Sequence, residues 1–389
     1  MVLSPPRRTL GVVRVLVAMS GGVDSSVAAA LLAEQGHDVV GATLKLWGGP
    51  SDSGCCSVAD VDDARRVADQ LGLDHHVFNF TELFEDAVVS PYVADHASGR
   101  TPNPCIECNR RVKFGHLLER CVRLGFDMLA TGHHARVVPA DGAPRLYRGV
   151  DRAKDQSYVL AGLGLAELGR VVLPVGELTK AEVRSRASAL GLRTADKPDS
   201  QDVCFIHGAT GRRGFLSQRT TLHRADLVDV SSGAVVGTVP AAELVTVGQR
   251  RGLGVSGDGR RRYALSVDVA ARRVTVGDAT QATATDVRVG PPRWSGPALA
   301  PGDRAWAQTS AHGAPARCTW SRRAVVFDAP HPLVAPGQTV ALYHDADPDA
   351  VAGAVIAEST PVAESTPVAE GTVVAGGAAV TSSSTRITG

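Results

Sequence analysis

Through the first third of the chain, apolar positions gather in short runs, each followed by a segment whose apolar residues recur every three or four positions. Val13 to Ala18, Val39 to Leu46, His76 to Phe80 and Met128 to Thr131 have strand length and are rich in β-branched or aromatic side chains. Such runs, near-continuous rather than alternating, mark strands covered on both faces. Val27 to Leu32, Val61 to Leu71, Glu82 to Ala97 and Arg111 to Leu124 read as helices; in the second of these, Ala64, Val67, Ala68 and Leu71 share one face. The alternation predicts an α/β fold: a parallel sheet with helices on both faces and a ligand crevice beyond the carboxyl ends of the strands.

From about residue 155 the pattern is helical, and Thr179-Lys180-Ala181-Glu182 is a capping box opening a helix that runs to Leu190. Beyond Ala225 the runs shorten and glycine and aspartate punctuate them: Leu227 to Val230, Ala234 to Val239, Tyr263 to Val269 and Val274 to Val276 predict a small β unit. A second β block, with Ala305 to Thr309, Ala324 to Phe327 and Thr339 to Tyr343 as its clearer strands, predicts a barrel or sandwich. The sequence ESTPVA then occurs twice in succession from Glu358, and the chain ends in Gly, Ala, Val, Ser and Thr with no aromatic residue, which predicts a disordered tail. The expected division is 12–210, a catalytic domain; 211–280, a small β-rich domain; 285–357, a barrel-like domain; and 358–389, the tail.

Composition changes this picture little. Hydrophobic residues at 44% and charged residues at 21% are those of an ordinary globular chain. No run reaches membrane-spanning length, so a cytoplasmic protein with no membrane contact is expected, a monomer by default. A net charge of +1 excludes a globally basic nucleic-acid binder, yet residues 211–275 carry 11 Lys/Arg against 5 Asp/Glu. Arg212, Arg213, Arg219, Arg224, Arg250, Arg251 and Arg260 to Arg262 suit either a phosphate backbone or a solvated loop. Seven cysteines fit a reducing compartment in which thiols serve as ligands or nucleophiles.

Candidate chemistry begins at Met19-Ser20-Gly21-Gly22-Val23-Asp24-Ser25-Ser26, between the first strand and the first helix. Two glycines let the backbone approach a ligand, and the N–H groups of the following helix point into the turn, an anion site. A Gly/Ser turn with no ligand is the bland alternative. The loop lacks the Gly-Lys-Ser/Thr ending of a Walker loop. It resembles instead the pyrophosphate loop of enzymes that split ATP between its α- and β-phosphates.

The second informative stretch is Thr101-Pro102-Asn103-Pro104-Cys105-Ile106-Glu107-Cys108-Asn109, followed by Arg110, Arg111 and Lys113. Positive charge and a helix start are expected to favour thiolate. A third cysteine, Cys204, lies in Asp199-Ser200-Gln201-Asp202-Val203-Cys204-Phe205-Ile206, where apolar neighbours equally suit a packed thiol. No second Cys-x-x-Cys or His pair completes a zinc site, and a thioredoxin-like motif conflicts with the phosphate loop, which leaves sulfur transfer or an iron–sulfur cluster. Cys121 and Cys318 read as packing residues, and Cys55 and Cys56, adjacent in a Gly/Ser loop, do not suit one shared site.

Taken in order, SGGVDSS, TPNPCIECN with VKF after it, ATGHHAR, KDQSYVL, KPDSQDVCFI and TVGQRRGLG resemble the bacterial tRNA-specific 2-thiouridylases over roughly residues 12–356. The resemblance implies an α/β pyrophosphate-loop domain of the adenine nucleotide α-hydrolase type followed by two small β-rich domains, and ATP-dependent replacement of the 2-oxygen of the wobble uridine by sulfur. It places ATP at Ala18, Met19, Ser20, Gly21, Gly22, Val23, Asp24 and Ser25, with Leu44 and Gly132 about the adenosine; Leu44 stands where many members have Met. Cys108 is implied as the catalytic thiol and Cys204 as the persulfide carrier, the two closing to a disulfide after transfer. Asn103, Pro104 and Cys105 are implied against the target base, and His133, Lys154, Asp155, Gln156 and Gln338 against tRNA. Cys105 stands where one branch has Asp, so Cys105, Cys108 and Cys204 are enough for a [4Fe-4S] cluster with one open iron. An Arg-Tyr pair that some members use is not recognisable around Gly313 to Trp320. Mg²⁺ is expected with ATP, Asp24 being a candidate ligand, and a cysteine desulfurase or relay protein is expected as sulfur donor. An amide-forming ligase would share the ATP loop but has no need of the three cysteines; an RNA-binding protein would share the basic segment but not the loop.

Overall fold

The computed structural model describes residues 11–47, 58–140, 142–199, 203–206, 211–254 and 261–359. β1 (Arg14–Ala18), β2 (Asp38–Lys45), β3 (His75–Asn79) and β4 (Met128–Thr131) fall where the apolar runs predicted strands. A hairpin, β5 (Ala135–Ala140) and β6 (Ala143–Arg148), and a two-residue strand, β7 (Val171–Val172), were not predicted. Pro139 faces Pro144 across that hairpin, and prolines ordinarily count against a strand; β7 is too short to show any period.

Strands β1 to β4 and β7 form one parallel sheet in the order β3-β2-β1-β4-β7. Alternate residues of β1 feed opposite layers. Val15 and Val17 pack with Val27, Ala28 and Leu32 of α1 (Val23–Glu34), with Val67 of α2 (Val58–Gln70), and with Val183. Leu16 joins Leu44, Phe84, Phe114 and Leu117 on the other face. The chain leaves β1 toward β2 and β3 and returns to β4 on the far side. The crevice between β1 and β4 is therefore the point where strand order reverses, where open α/β sheets bind ligands.

Residues 81–97 form one helix with a wide π-type turn at Glu85–Val89, and residues 104–123 another with a π-type section at Cys108–Leu117. The second begins at Pro104 rather than Arg111. Pro104 opens it, and Asn103 Oδ1 accepts the Cys105 N–H at 3.1 Å, so the two prolines and the asparagine are its start signal. The Lys180–Ala189 helix has both arms of its predicted capping box: Glu182 N–H donates to Thr179 Oγ1 at 3.3 Å and Thr179 N–H to Glu182 Oε2 at 2.7 Å.

β8 (Ala225–Asp229), β9 (Val235–Val239), β10 (Tyr263–Asp268) and β11 (Arg273–Gly277) make a four-stranded sheet in the order β10-β11-β8-β9. Next come β12 (Thr283–Val289), β13 (Arg293–Trp294), β14 (Arg304–Gln308), β15 (Ala316–Ser321), β16 (Ala324–Pro332), β17 (Thr339–His344) and β18 (Val351–Ser359). Strands β12-β16-β15-β14-β17-β18 pair in sequence and β12 pairs back to β18, so the block is a closed barrel and not a sandwich. Closure removes the free edges of those six strands. β18 takes in the first residues of the predicted tail; the rest of the tail lies outside the described residues.

The barrel is fastened to the α/β part by buried polar groups. Arg148 ion-pairs with Asp155 at 2.8 Å, donates to Gln308 Oε1 at 2.9 Å and lies over the Tyr343 ring at 3.8 Å. Tyr158 Oη donates to the Thr339 carbonyl at 2.9 Å, and Ser295 Oγ to the Ala161 carbonyl at 2.7 Å. Removing one partner of a buried pair strands the other, so Arg148→Ala is expected to cost about 3–5 kcal/mol of stability. Urea unfolding reads this directly; a loss under about 1 kcal/mol, the scale of a surface pair, would contradict the fastening role.

Part of the predicted positive surface is committed to packing. Arg212 donates to the Leu244 carbonyl, Arg219 lies over the Phe215 and Trp47 rings, and Arg262 pairs with Asp229. Arg213, Arg250, Arg251 and Arg261 are exposed, and Arg260 lies outside the described residues. Among the described residues no helix is long and apolar enough to cross a membrane.

Candidate active site

The turn after β1 is held from several sides. Met19 N–H donates to the Ala42 carbonyl at 2.8 Å, Thr43 Oγ1 donates to the Met19 carbonyl at 2.8 Å, and the Met19 side chain is buried. Ser20 N–H donates to Ser25 Oγ at 3.1 Å, while the Ser25 and Ser26 hydroxyls turn back to the Gly22 carbonyl at 3.1 and 2.9 Å. Gly21 has φ +71°, and a Cβ there would sit 2.3 Å from the Asp60 carbonyl oxygen, so glycine is required twice over. Gly132, just past β4, packs against the first turn of α1: a Cβ would lie 2.5 Å from Ser25 N and 2.6 Å from the Asp24 carbonyl carbon. The phosphate-loop candidates and Gly132 thus meet at the switch point. Leu44 lies one strand away on β2, buried with its side chain in the apolar layer opposite α1.

A network of charges, which the sequence pattern did not predict, surrounds this loop. Lys180 Nζ lies 2.7 Å from both Asp24 carboxylate oxygens and 2.8 Å from Asp199 Oδ1. His134 Nε2 is 3.0 Å from Asp24 Oδ1. Lys154 and Arg184 also reach Asp199, at 2.8 and 2.9 Å. Lys197 Nζ donates to the Gly21 carbonyl at 2.9 Å and pairs with Asp60 and Asp63 of α2 at 2.6 and 2.8 Å. Burial alone would raise the Asp24 carboxyl, but the hydrogen bonds from His134 and Lys180 outweigh it and hold the group below the usual carboxylate range. Asp199 is likewise held at about 2, against burial, by Lys154 and Lys180. Lys180 was legible only as the residue after a helix cap, and nothing in the pattern aimed it at the loop.

Cys105 and Cys108 lie in the first turns of the 104–123 helix, Cys105 exposed and Cys108 buried. Two of the three cations expected near these thiols are partnered by a carboxylate. Arg110 and Arg111 both pair with the Glu107 carboxylate, Arg111 at 2.8 Å, because a glutamate three and four residues before them occupies the same helix face. Cys204 is partly buried, beside Phe205, whose ring packs among Phe84, Tyr92 and Phe215 at 5.7, 5.5 and 5.0 Å. Both Cys108 and Cys204 border the apolar layer that contains Leu16 and Leu44. Among the described residues no three His, Cys, Asp or Glu side chains are placed to hold a metal ion. The three cysteines therefore do not fit a cluster as arranged. Cys121 and Cys318 are packing residues, as expected, their thiols pushed by burial up to about 11 and about 12. Cys55 and Cys56 lie outside the described residues.

The remaining expected contact residues divide by exposure. Asn103 caps the helix and Pro104 is buried behind it. His133 is buried with Nδ1 2.7 Å from Thr131 Oγ1, and burial pushes its imidazole well below the ordinary range, which favours the neutral form. Asp155 turns inward to Arg148, to the Gly149 N–H and to Ser157, an organising carboxylate rather than a surface one. Gln156 Oε1 accepts the His134 N–H at 2.8 Å, and Lys154 remains exposed beside Asp199. Gln338 Nε2 donates to the Thr101 carbonyl at 2.7 Å, joining the barrel to the loop ahead of the two cysteines.

Residues 13–208 match a family described as "tRNA methyl transferase HUP domain", and residues 213–278 match "tRNA methyl transferase PRC-barrel domain". The chain is 46% identical over 357 residues to "tRNA-specific 2-thiouridylase MnmA" of Salinispora arenicola, covering 88% of this chain and 98% of that protein. It is 42% identical over 361 residues to the protein of the same name in Saccharopolyspora erythraea, covering 89% and 99%. Among solved structures it is similar to the U34-tRNA thiolase NcsA of Methanococcus maripaludis, with 18% identity, a TM-score of 0.35 and coverage of 55% of this chain and 65% of that one.

Proposed function

Because the chain belongs to the tRNA-specific 2-thiouridylase family and is a tRNA sulfurtransferase of the pyrophosphate-loop type, we propose that it activates the wobble uridine by adenylating its 2-oxygen and delivers sulfur from a persulfide on Cys204. The observation that carries this reading is the packing of Gly132 against the Asp24–Ser25 turn, which gathers the glycine loop at the switch point of the sheet. Phosphates seated there meet backbone N–H groups and the positive end of α1.

The uracil 2-carbonyl is a poor electrophile with a poor leaving group. Attack of its oxygen on the α-phosphorus of ATP expels pyrophosphate and makes AMP the leaving group. The terminal sulfur of the Cys204 persulfide adds to C2 and AMP departs with the former 2-oxygen. The Cys108 thiolate then attacks Cys204 Sγ, which releases 2-thiouridine and leaves a Cys108–Cys204 disulfide for an external thiol to reduce. A cysteine desulfurase or relay protein renews the persulfide. Asn103, Pro104 and Cys105 would bound the base, and Lys154 and Gln338, with the β-rich units at 211–280 and 285–357, would bound the tRNA.

Mg²⁺ arriving with ATP would find one loop carboxylate, Asp24, and otherwise phosphate oxygens, the usual sparse protein share of a magnesium site. It would neutralise charge on the polyphosphate.

Oxygen tracing tests the chemistry. With tRNA carrying ¹⁸O at the uridine 2-position, the label is expected in AMP. AMP free of label, formed in step with thiouridine, would contradict adenylation of that oxygen.

A further inference from the structure

Lys180 is held in place by the chain itself. Its N–H donates to Asp151 Oδ2 at 2.9 Å, its helix start is closed by the Thr179–Glu182 box, and only 12% of its side chain is exposed. Its ammonium has three protons, and three carboxylate oxygens, two of Asp24 and one of Asp199, receive them. Asp24 lies in the first turn of α1, directly after the Gly21-Gly22 turn, so this cation stands at the mouth of the phosphate loop.

The two carboxylates do not depend on Lys180 alone. Asp24 also has His134 Nε2 at 3.0 Å, and Asp199 has Lys154 at 2.8 Å and Arg184 at 2.9 Å. If Lys180 turned away, neither would be left as a stranded buried charge, the outcome that normally locks such a pair. A triphosphate carries more charge than either carboxylate and offers several strong acceptors.

We propose that Lys180 is a polyphosphate-binding residue of the ATP site, held ready by Asp24 and Asp199 and passing its ammonium to the phosphates when ATP binds. This rests on the ATP reading above. Pyrophosphate gains charge as it leaves, so a preorganised cation at that place favours the adenylation step as well as binding.

Calorimetric titration of the full chain with ATP, AMP and inorganic pyrophosphate, for wild type, Lys180→Ala and Lys180→Arg, separates the possibilities. Lys180→Ala is expected to weaken ATP and pyrophosphate by about ten- to a hundredfold while AMP changes by less than about twofold. Lys180→Arg is expected to recover part of the loss. Unchanged ATP affinity in Lys180→Ala would overturn the assignment. So would equal weakening of ATP and AMP with a lowered melting temperature in both variants, the mark of a merely structural lysine. If the wild type thiolates tRNA and the variants give either result, the proposed function stands without this assignment; a wild type that binds no ATP overturns both.

Discussion

Cys204→Ser is expected to lower 2-thiouridine formation by about three orders of magnitude or more, with ATP binding and melting temperature close to wild type. Oxygen in place of sulfur cannot carry a persulfide, and the change is otherwise nearly isosteric. The local fold rests on its neighbour: Phe205 is buried in a cluster of aromatic rings, and Cys204 itself is only partly buried. Mass spectrometry of digested tRNA over time measures the loss, and activity within about tenfold of wild type would remove Cys204 from the sulfur path. Cys108→Ser should fail differently, since the first transfer can proceed but the Cys204–sulfur bond cannot be resolved. A tRNA adduct on the protein, released by dithiothreitol, is the expected product.

Gly132→Ala should strike the nucleotide site instead. Its Cβ would lie 2.5 Å from Ser25 N and 2.6 Å from the Asp24 carbonyl carbon, both backbone atoms at the start of α1 that no side-chain rotation can move aside. Relief requires α1 and β4 to part, in a sheet whose α1 face is packed with Val23, Val27 and Ala28. Overpacking of this kind costs about 1–3 kcal/mol, and the displaced loop should lose ATP by about a hundredfold. Urea unfolding and ATP titration read the two effects separately. Full ATP affinity in this variant would show that the β1–β4 switch point is not where the nucleotide sits.

Much of this arrangement was legible because it is written locally. Continuous apolar runs marked four of the five sheet strands, and a glycine pair between a strand and an alanine-rich segment marked the loop. Thr179 and Glu182, three residues apart, were enough to place a helix start that the structure reproduces on both arms. What failed to show was written across distance. Lys180 and Asp24 stand 156 positions apart, and only the return of the chain past β4 brings them together. Arg148 looks like any surface arginine until the barrel closes over it and supplies Gln308 and Tyr343. Asp155 of KDQSYVL faces inward to Arg148, a pairing the sequence hid because the hairpin that carries Arg148 contains prolines, which count against a strand reading. The arginines after Cys108 were expected to activate thiols, and Glu107, one position before that cysteine, takes both.

Conversion of ATP and a protein-bound sulfur into 2-thiouridine can be followed in one reaction. The most direct measurement incubates the full chain with unmodified tRNA, ATP, cysteine and a cysteine desulfurase, then quantifies thionucleosides by mass spectrometry beside AMP and pyrophosphate. The expected result is 2-thiouridine at the wobble position, with AMP and pyrophosphate formed in amounts equal to it and nothing formed without ATP. Thiouridine that accumulates without ATP, or none under any of these conditions, would contradict it.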